Sequence, residues 1–161
     1  MNLNIKNHNR KGNNIPIRNG KQSLKITTPQ VITPYGIEKF NNKFNLGFFL
    51  SGNTQELEQF KNDMILIDTK LKEIGETYYT IPPKIWKTPI SIKNDNYLLR
   101  TKIPFRFNKI ETIFYNNCGE QITSSNIIQN SKIIVEFTIP HVWTLDNSFG
   151  YYCVCKKITL L

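Results

Sequence analysis

Alanine is absent from the 161 residues, and acidic residues are few, with 12 Asp and Glu against 21 Lys and Arg. Alanine codons are rich in G and C, so its absence indicates an A+T-rich coding sequence rather than a function. No apolar run approaches the ~20 residues of a membrane-spanning helix, so we expect no membrane partner. The opening residues, MNLNIKNHNRKGNN, lack the apolar stretch of a secretory signal. We therefore expect an intracellular protein that is not secreted.

Cysteine and histidine are also scarce. The three cysteines, Cys118, Cys153 and Cys155, form no CxxC pair, which argues against a disulfide framework and a structural zinc site and suits a reducing compartment. Cys153 and Cys155 are predicted to face one side of a strand, but two thiols do not complete a tetrahedral metal site. His141, one of two histidines, is expected to be structural.

Catalytic motifs are missing as well. The sequence has no P-loop, no GxSxG, no HExxH and no Gly-rich phosphate turn after a strand. The acidic residues of the predicted helix are spread over its polar face rather than brought together. We therefore expect no enzymatic activity, no catalytic residue, no cofactor and no metal site.

The positive charge is concentrated at the N-terminus. Residues 1–25 carry six Lys and Arg and no acid, which leaves fifteen basic and twelve acidic residues for the remainder of the +9 chain. A segment rich in Asn, Gly and Lys buries too little apolar surface to offset its chain entropy. We predict a basic, disordered arm over residues 1–20 and one folded domain over residues 21–161.

One long helix is predicted mid-chain, from about Thr54 to Ile74. Asn53 or Thr54 can cap its start, and Gly75 is placed to end it. Its apolar residues recur at spacings of three and four and form a single stripe: Leu57, Phe60, Met64, Ile67, Leu71 and Ile74.

Short β-rich runs make up most of the remainder. Strands are predicted at about 24–28, 44–50, 97–103, 109–115, 133–139 and 150–160, with a Pro-rich loop over 81–89. Several short strands with one inserted helix indicate a mainly β protein, an OB-type Greek-key barrel with one long helix inserted mid-chain. A β-sandwich is the alternative.

Basic residues interleaved with aromatic ones are the strongest functional signal. On a strand, Arg100 and Lys102 share one face, while Leu99, Thr101 and Ile103 take the other. Exposed cations can pair with phosphates, and nearby rings can stack on bases without regard to sequence. The predicted phosphate contacts are Arg100, Lys102, Arg106, Lys109, Lys84 and Lys87, and the predicted stacking rings are Tyr97, Phe105, Trp86 and Tyr151.

The order of several motifs resembles a known family. The folded part opens with Ile26-Thr27-Thr28-Pro29 and Thr33-Pro34-Tyr35-Gly36-Ile37, continues through the helix and Leu99-Arg100-Thr101-Lys102-Ile103-Pro104, and closes with Pro140-x-x-Trp143 and Phe149-Gly150. Over about residues 22–160 this order resembles the single-stranded DNA-binding proteins of nucleocytoplasmic large DNA viruses, which are related to those of certain tailed phages.

The resemblance implies an OB fold with an inserted helix. It also implies binding and protection of single-stranded DNA during viral DNA replication, recombination and repair, in the host cytoplasm or at a viral replication site. It implies replication proteins of the same virus as further partners, and a homodimer is left open. The phage relatives end in an acidic tail that contacts replication partners, whereas this sequence ends Lys156-Lys157-Ile158-Thr159-Leu160-Leu161. The N-terminal basic arm is expected to add DNA affinity.

Two other functions remain open from the sequence. One is a small structural virion protein, built on a β-sandwich, whose basic arm contacts the packaged genome. The other is an RNA-binding OB module, because OB barrels serve both nucleic acids.

Overall fold

The computed structural model of the chain describes residues 4–7, 11–78 and 84–161. Six strands precede one long helix: β1 (Ile5–Asn7), β2 (Asn14–Asn19), β3 (Gln22–Thr27), β4 (Val31–Thr33), β5 (Ile37–Phe40), β6 (Lys43–Phe49) and α1 (Gln55–Tyr78).

Ten further strands follow the helix. Those in the first half of this region are β7 (Ile85–Lys87), β8 (Ile90–Lys93), β9 (Asn96–Ile103), β10 (Phe105–Arg106), β11 (Lys109–Ile110) and β12 (Ile113–Tyr115). After a 3-10 turn at Ser124–Asn126 come β13 (Ser131–Ile139), β14 (His141–Leu145), β15 (Ser148–Tyr151) and β16 (Cys153–Leu160). The mainly β class with one long helix mid-chain is confirmed.

Fourteen of the strands within the described ranges join one hydrogen-bonded sheet. Its main path runs β5-β6-β9-β16-β13-β3-β2-β14-β15-β7, while β10 and β11 form a separate hairpin. Most neighbours are antiparallel, but β9 and β12 both pair in parallel with β16. One continuous sheet brings β9, which carries Arg100 and Lys102, between β6 and β16.

The helix begins as predicted but ends later than expected. The Thr54 hydroxyl accepts a hydrogen bond from the Leu57 backbone N–H at 3.2 Å, which confirms Thr54 as a cap. The prediction that Gly75 ends the helix is wrong, because α1 continues to Tyr78. Gly75 instead allows close packing, since a Cβ atom at this position would lie 2.6 Å from the Phe149 ring. Of the predicted apolar stripe, five residues are buried, namely Leu57, Phe60, Met64, Ile67 and Leu71.

The N-terminal region differs from the expected arm. Residues 14–19 form strand β2, whose Ile15 and Ile17 side chains are buried in the core. β2 pairs with β14, and the Ile17 N–H donates to the Pro140 carbonyl at 3.0 Å. Burial of Ile15 and Ile17 and pairing with β14 hold this otherwise polar segment in the sheet. Residues 1–3 and 8–10 of the predicted arm lie outside the described residues.

The Pro-rich loop also contains a strand that the sequence did not predict. Residues 79–83 lie outside the described part of the chain, but β7 pairs in parallel with β15. Gly150 makes this pairing possible, because a Cβ atom there would lie 2.2 Å from the carbonyl oxygen of Lys87. Among the described residues, no helix combines the length and the apolar composition needed to cross a membrane.

Candidate nucleic-acid interface

The β6–β9 ladder places cations on one outward face. Arg100 and Lys102 are exposed, while Leu99, Thr101 and Ile103 are buried, as the predicted alternation requires. In the register of the two strands, Asn45 lies opposite Lys102 and Gly47 lies opposite Arg100. Because Gly47 has no side chain, the surface beside Arg100 stays open.

A cleft of about 380 Å³ lies on this face. Its floor comes from β6 and β9, and its sides come from the segment after β7 and from the β14–β15 hairpin. Among the described residues, its lining includes three cations and no acid: Asn45, Lys87, Thr88, Pro89, Arg100, Lys102, Trp143, Leu145, Tyr151 and Tyr152. We call it the Arg100 cleft. Three cations without a counter-charge favour an anionic ligand.

Lys102 is held by an aromatic ring. Its ammonium lies 3.9 Å from the centroid of the Tyr152 ring, a cation–π geometry. The Tyr152 hydroxyl and the His141 Nε2 are 3.3 Å apart, and the two rings meet edge to face. Burial, and then the positive charge of Lys43, lower the pKa of Lys102. A bound phosphate would offset both effects, because it supplies negative charge to a partly desolvated ammonium.

His141 interacts electrostatically with Lys102. Burial lowers its pKa below the usual 6.5, and the positive charge of Lys102 lowers it further. Burial also raises the pKa of Tyr152. The imidazole is therefore neutral near pH 7, and its protonation adds a fourth positive charge beside the cleft.

One side of the Arg100 cleft is fastened to the helix. The Asp68 carboxylate of α1 accepts hydrogen bonds from the Trp86 indole N–H, at 3.3 Å, and from the Thr88 hydroxyl. The Arg100 backbone N–H donates to the Pro89 carbonyl at 3.0 Å. We call the segment 87–89 the wall of the cleft. These bonds fix the wall from the helix on one side and from β9 on the other.

A second cleft, of about 280 Å³, adjoins the first. The two share Asn45 and Lys102, so they form one continuous depression along β6 and β9. Phe105 lies here against Phe44, with ring centroids 5.1 Å apart. Lys43 adds a further cation, and its lining within the described residues has no acid. We call it the Phe105 cleft.

The structure therefore brings several predicted site residues together. Arg100, Lys102 and Lys87 share the Arg100 cleft, and Phe105 lines the adjoining one. Arg106 and Lys109 face each other on the β10–β11 hairpin immediately after Phe105. The Arg106 Nε atom lies 3.8 Å from the Glu111 carboxylate, so a surface ion pair competes weakly for this side chain.

Of the other predicted residues, Tyr151 lines the Arg100 cleft, whereas Trp86, Lys84 and Tyr97 line neither cleft. Trp86 is half-buried between the helix and β15, with its ring centroid 5.0 Å from that of Phe149. Tyr151 lies beneath the cleft with only 3% of its surface exposed, and burial raises the pKa of its phenol. Lys84 donates to the Thr144 hydroxyl at 2.7 Å. Tyr97 points to the opposite side of β9 from Arg100 and contacts Lys61 of the helix.

Sequence reasoning missed several residues of the two clefts, namely Lys43, Asn45, Trp143 and Tyr152. The alternation of side chains along the last strands could have identified Tyr152. Tyr151, Cys153 and Cys155 share one parity and are all buried, so Tyr152 had to face the other way. The pairing of β6 with β9, and of β14 with β15, is long-range information that no local pattern carries.

The cysteines and acids form no alternative site. Cys153 and Cys155 are buried in the sheet, where desolvation raises the pKa of Cys155 to about 12. A thiol with so high a pKa is a poor nucleophile and a poor metal ligand. Across residues 4–7, 11–78 and 84–161, no three His, Cys, Asp or Glu side chains lie together as a metal ion requires.

No protein-family model and no curated protein matches the sequence. Solved structures do match the fold. A single-stranded DNA-binding protein encoded by bacteriophage T7, gp2.5, aligns with a TM-score of 0.60 at 12% identity over 86% of each chain. The single-stranded DNA-binding protein of bacteriophage Enc34 aligns with a TM-score of 0.59 at 9% identity, over 97% of this chain and 88% of that one.

The Enc34 protein in complex with single-stranded DNA also aligns, with a TM-score of 0.55 at 10% identity, over 98% of this chain and 95% of that one. These alignments span the sheet and the helix together rather than one element. At this low identity they establish architecture. The chain has the OB-type fold with an inserted helix that its sequence predicts.

Proposed function

We propose that the protein binds single-stranded DNA along the depression formed by the Arg100 and Phe105 clefts. The observation that carries the proposal is the acid-free Arg100 cleft, in which three cations converge beside an indole ring. Cations without acidic neighbours suit a polyanionic backbone, and an accessible ring suits unpaired bases.

In this mechanism the cations and the rings have separate roles. Arg100, Lys102 and Lys87 neutralise phosphates and release condensed counterions, which gives salt-dependent and sequence-independent affinity. Trp143 stacks on a base. Tyr152 has its ring face occupied by the Lys102 ammonium at 3.9 Å, so it positions that cation instead of stacking.

Two comparisons support the proposal. The T7 and Enc34 proteins are single-stranded DNA-binding proteins, and one Enc34 structure contains the nucleic acid. The order of motifs in this sequence resembles the counterparts from nucleocytoplasmic large DNA viruses. We propose that the protein acts in viral DNA replication, recombination and repair, at an intracellular replication site, as a non-enzymatic component that works with replication proteins of the same virus.

The N-terminal segment adds to this binding. Residues 1–25 hold six basic residues and no acid. Their phosphate contacts supplement those of the cleft without replacing its preference for unpaired bases, because that preference requires stacking.

A mobility-shift experiment tests the proposal. Full-length protein is titrated against a single-stranded oligonucleotide, the matched duplex and the matched RNA, at two salt concentrations. We expect tighter binding of single strands than of duplex, and weaker binding at the higher salt. The Trp143→Ala variant tests the stacking role of the indole ring. It should lose the preference for single strands, while its affinity for duplex DNA stays near that of the wild type.

Two results would overturn the proposal. Equal affinity for single strands and duplex would mean that only backbone charge is recognised, as expected of a virion protein with a basic arm. A clear preference for RNA would instead assign the cleft to an RNA-binding module.

A further inference from the structure

The hairpin of β10 and β11 carries an aromatic residue at its tip. Phe105 pairs with Ile110 and Arg106 with Lys109, which leaves Phe107 and Asn108 as the two turn residues. Both have positive φ angles, 52° and 60°, as in a type I′ hairpin turn. Such turns are typically built from Asn and Gly, which tolerate this backbone conformation.

Phe107 is an unfavourable choice for that position. A bulky side chain in the left-handed region crowds its own backbone, so the phenyl ring adds strain to the turn. Burial does not compensate, because 94% of the side chain is exposed. Neither folding nor solubility accounts for a phenyl ring here, whereas contact with a ligand would.

The hairpin lies at the end of the proposed DNA path. It follows β9 directly through Pro104, whose carbonyl accepts a hydrogen bond from the Glu111 N–H at 2.9 Å. Its first residue, Phe105, lines the Phe105 cleft, which shares Lys102 with the Arg100 cleft. A DNA strand that runs from Lys102 towards Lys43 therefore reaches the β10–β11 hairpin next.

Charge favours a nucleic acid over a protein or a second copy at this place. Lys43 lines the Phe105 cleft, Arg106 and Lys109 pair with each other next to the hairpin turn that carries Phe107, and Glu111 forms an ion pair with Arg106. A net positive surface around an exposed ring repels an identical surface and attracts phosphates.

We propose that Phe107 is a second stacking position, which takes up a base of the DNA strand after it leaves the Phe105 cleft. The inference rests on the proposed function and extends it by assigning the course of the bound DNA beyond the Phe105 cleft. Phosphates on either side of that base pair with Arg106 and Lys109, which face each other across the hairpin. Trp143 and Phe107 thus stack at opposite ends of one path.

The assignment predicts a dependence on oligonucleotide length. OB folds cover about 4–16 nucleotides, so a short strand can fill the Arg100 cleft without reaching the hairpin. A stacked base contributes about 5- to 150-fold in affinity. Loss of the Phe107 ring should therefore lower the affinity for long oligonucleotides by such a factor and leave the affinity for short ones unchanged.

Three variants test this in the full-length protein. Phe107→Asn removes the ring and relieves the turn, so it cannot lose binding through unfolding. Phe107→Trp keeps a ring at the tip. Leu66→Ala is the control, because Leu66 is an exposed apolar residue on α1 that lines neither cleft. Each is titrated with thymidine oligonucleotides of about 6 and about 20 nucleotides.

We expect Phe107→Asn to weaken only the longer oligonucleotide, and Phe107→Trp and Leu66→Ala to match the wild type on both. Equal binding of the longer oligonucleotide by Phe107→Asn and wild type would overturn the assignment while leaving the proposed function intact. If wild type binds neither oligonucleotide, the proposed function fails first. Self-association of wild type that Phe107→Asn abolishes would identify the tip as a protein interface and also overturn the assignment.

Discussion

The Lys102 ammonium lies 3.9 Å from the centroid of the Tyr152 ring, on the face of the sheet that also holds Arg100. The tyrosine limits the freedom of a side chain that would otherwise be mobile. It also helps to keep the cation in the cleft, at a cost in solvation that the lowered pKa of Lys102 reflects. A lysine held in this way loses less conformational entropy when it binds a phosphate.

The first prediction concerns salt dependence. Replacing both Arg100 and Lys102 by Ala removes about two phosphate contacts, so the slope of log affinity against log salt should become shallower by roughly 1.4 for single strands. The melting temperature should stay close to that of the wild type, because both side chains are exposed. Fluorescence titration at several salt concentrations measures the slope.

A charge-matched control uses Lys70→Ala with Lys132→Ala. These lysines are also exposed, on α1 and β13, and line neither cleft. If this pair flattens the slope as much as the Arg100 and Lys102 pair, overall charge rather than the cleft governs binding.

The second prediction concerns pH. Burial, and then Lys102, lower the pKa of His141 in the folded protein, so the unfolded chain binds this proton more readily. As the pH falls through 6.5 towards the lower folded value, the free energy of unfolding should decrease. His141→Gln should lose less stability than wild type between pH 7 and pH 5, as measured by denaturant titration. An identical loss in both proteins would show that His141 does not titrate in this range.

The third prediction concerns Gly75 in the helix. Alanine is the better helix former by about 1 kcal/mol, yet its Cβ would lie 2.6 Å from the Phe149 ring. Overpacking typically costs about 1–3 kcal/mol, so Gly75→Ala should lower the melting temperature or leave it unchanged rather than raise it. Thr77→Ala, at an exposed position of the same helix, is the control and should be neutral or slightly stabilising. A clear stabilisation by Gly75→Ala would contradict the packing of α1 against β15.

The fourth prediction concerns the N-terminal strand. Ile17 is 2% exposed, so Ile17→Ala should cost about 2–5 kcal/mol of unfolding free energy. Ile92→Ala, at an exposed position, should change stability by less than about 0.5 kcal/mol. A fragment comprising residues 21–161 should melt at a lower temperature than the full chain, because it lacks β2. Equal melting temperatures would support the free arm that composition predicts.

Local patterns predicted much of the fold. The helix stripe, the Thr54 cap and the alternation of β9 all follow from spacing over a few residues, and each is confirmed. The sequence failed where a distant partner decides the structure. β2 is polar on average and becomes a strand because β14 lies beside it, and β7 does so because Gly150 admits its backbone.

The candidate site shows the same division. Arg100 and Lys102 were predictable because residues two positions apart on a β-strand point to the same face. Trp86 and Tyr151 look like surface rings in the sequence, but tertiary packing buries one and half-buries the other. Trp143 and Lys43 come from separate hairpins, so only the sheet topology brings them to the Arg100 cleft and the adjoining Phe105 cleft.

Asp68 gives the helix an indirect part in nucleic-acid binding. Its carboxylate holds Trp86 and Thr88, on either side of Lys87, while facing neither cleft. Substitution of Asp68 would loosen the wall of the Arg100 cleft without removing any contact to DNA. Affinity variants selected from this protein should therefore arise on α1 as well as in the clefts, and they would change the dissociation rate for strands of every sequence and length.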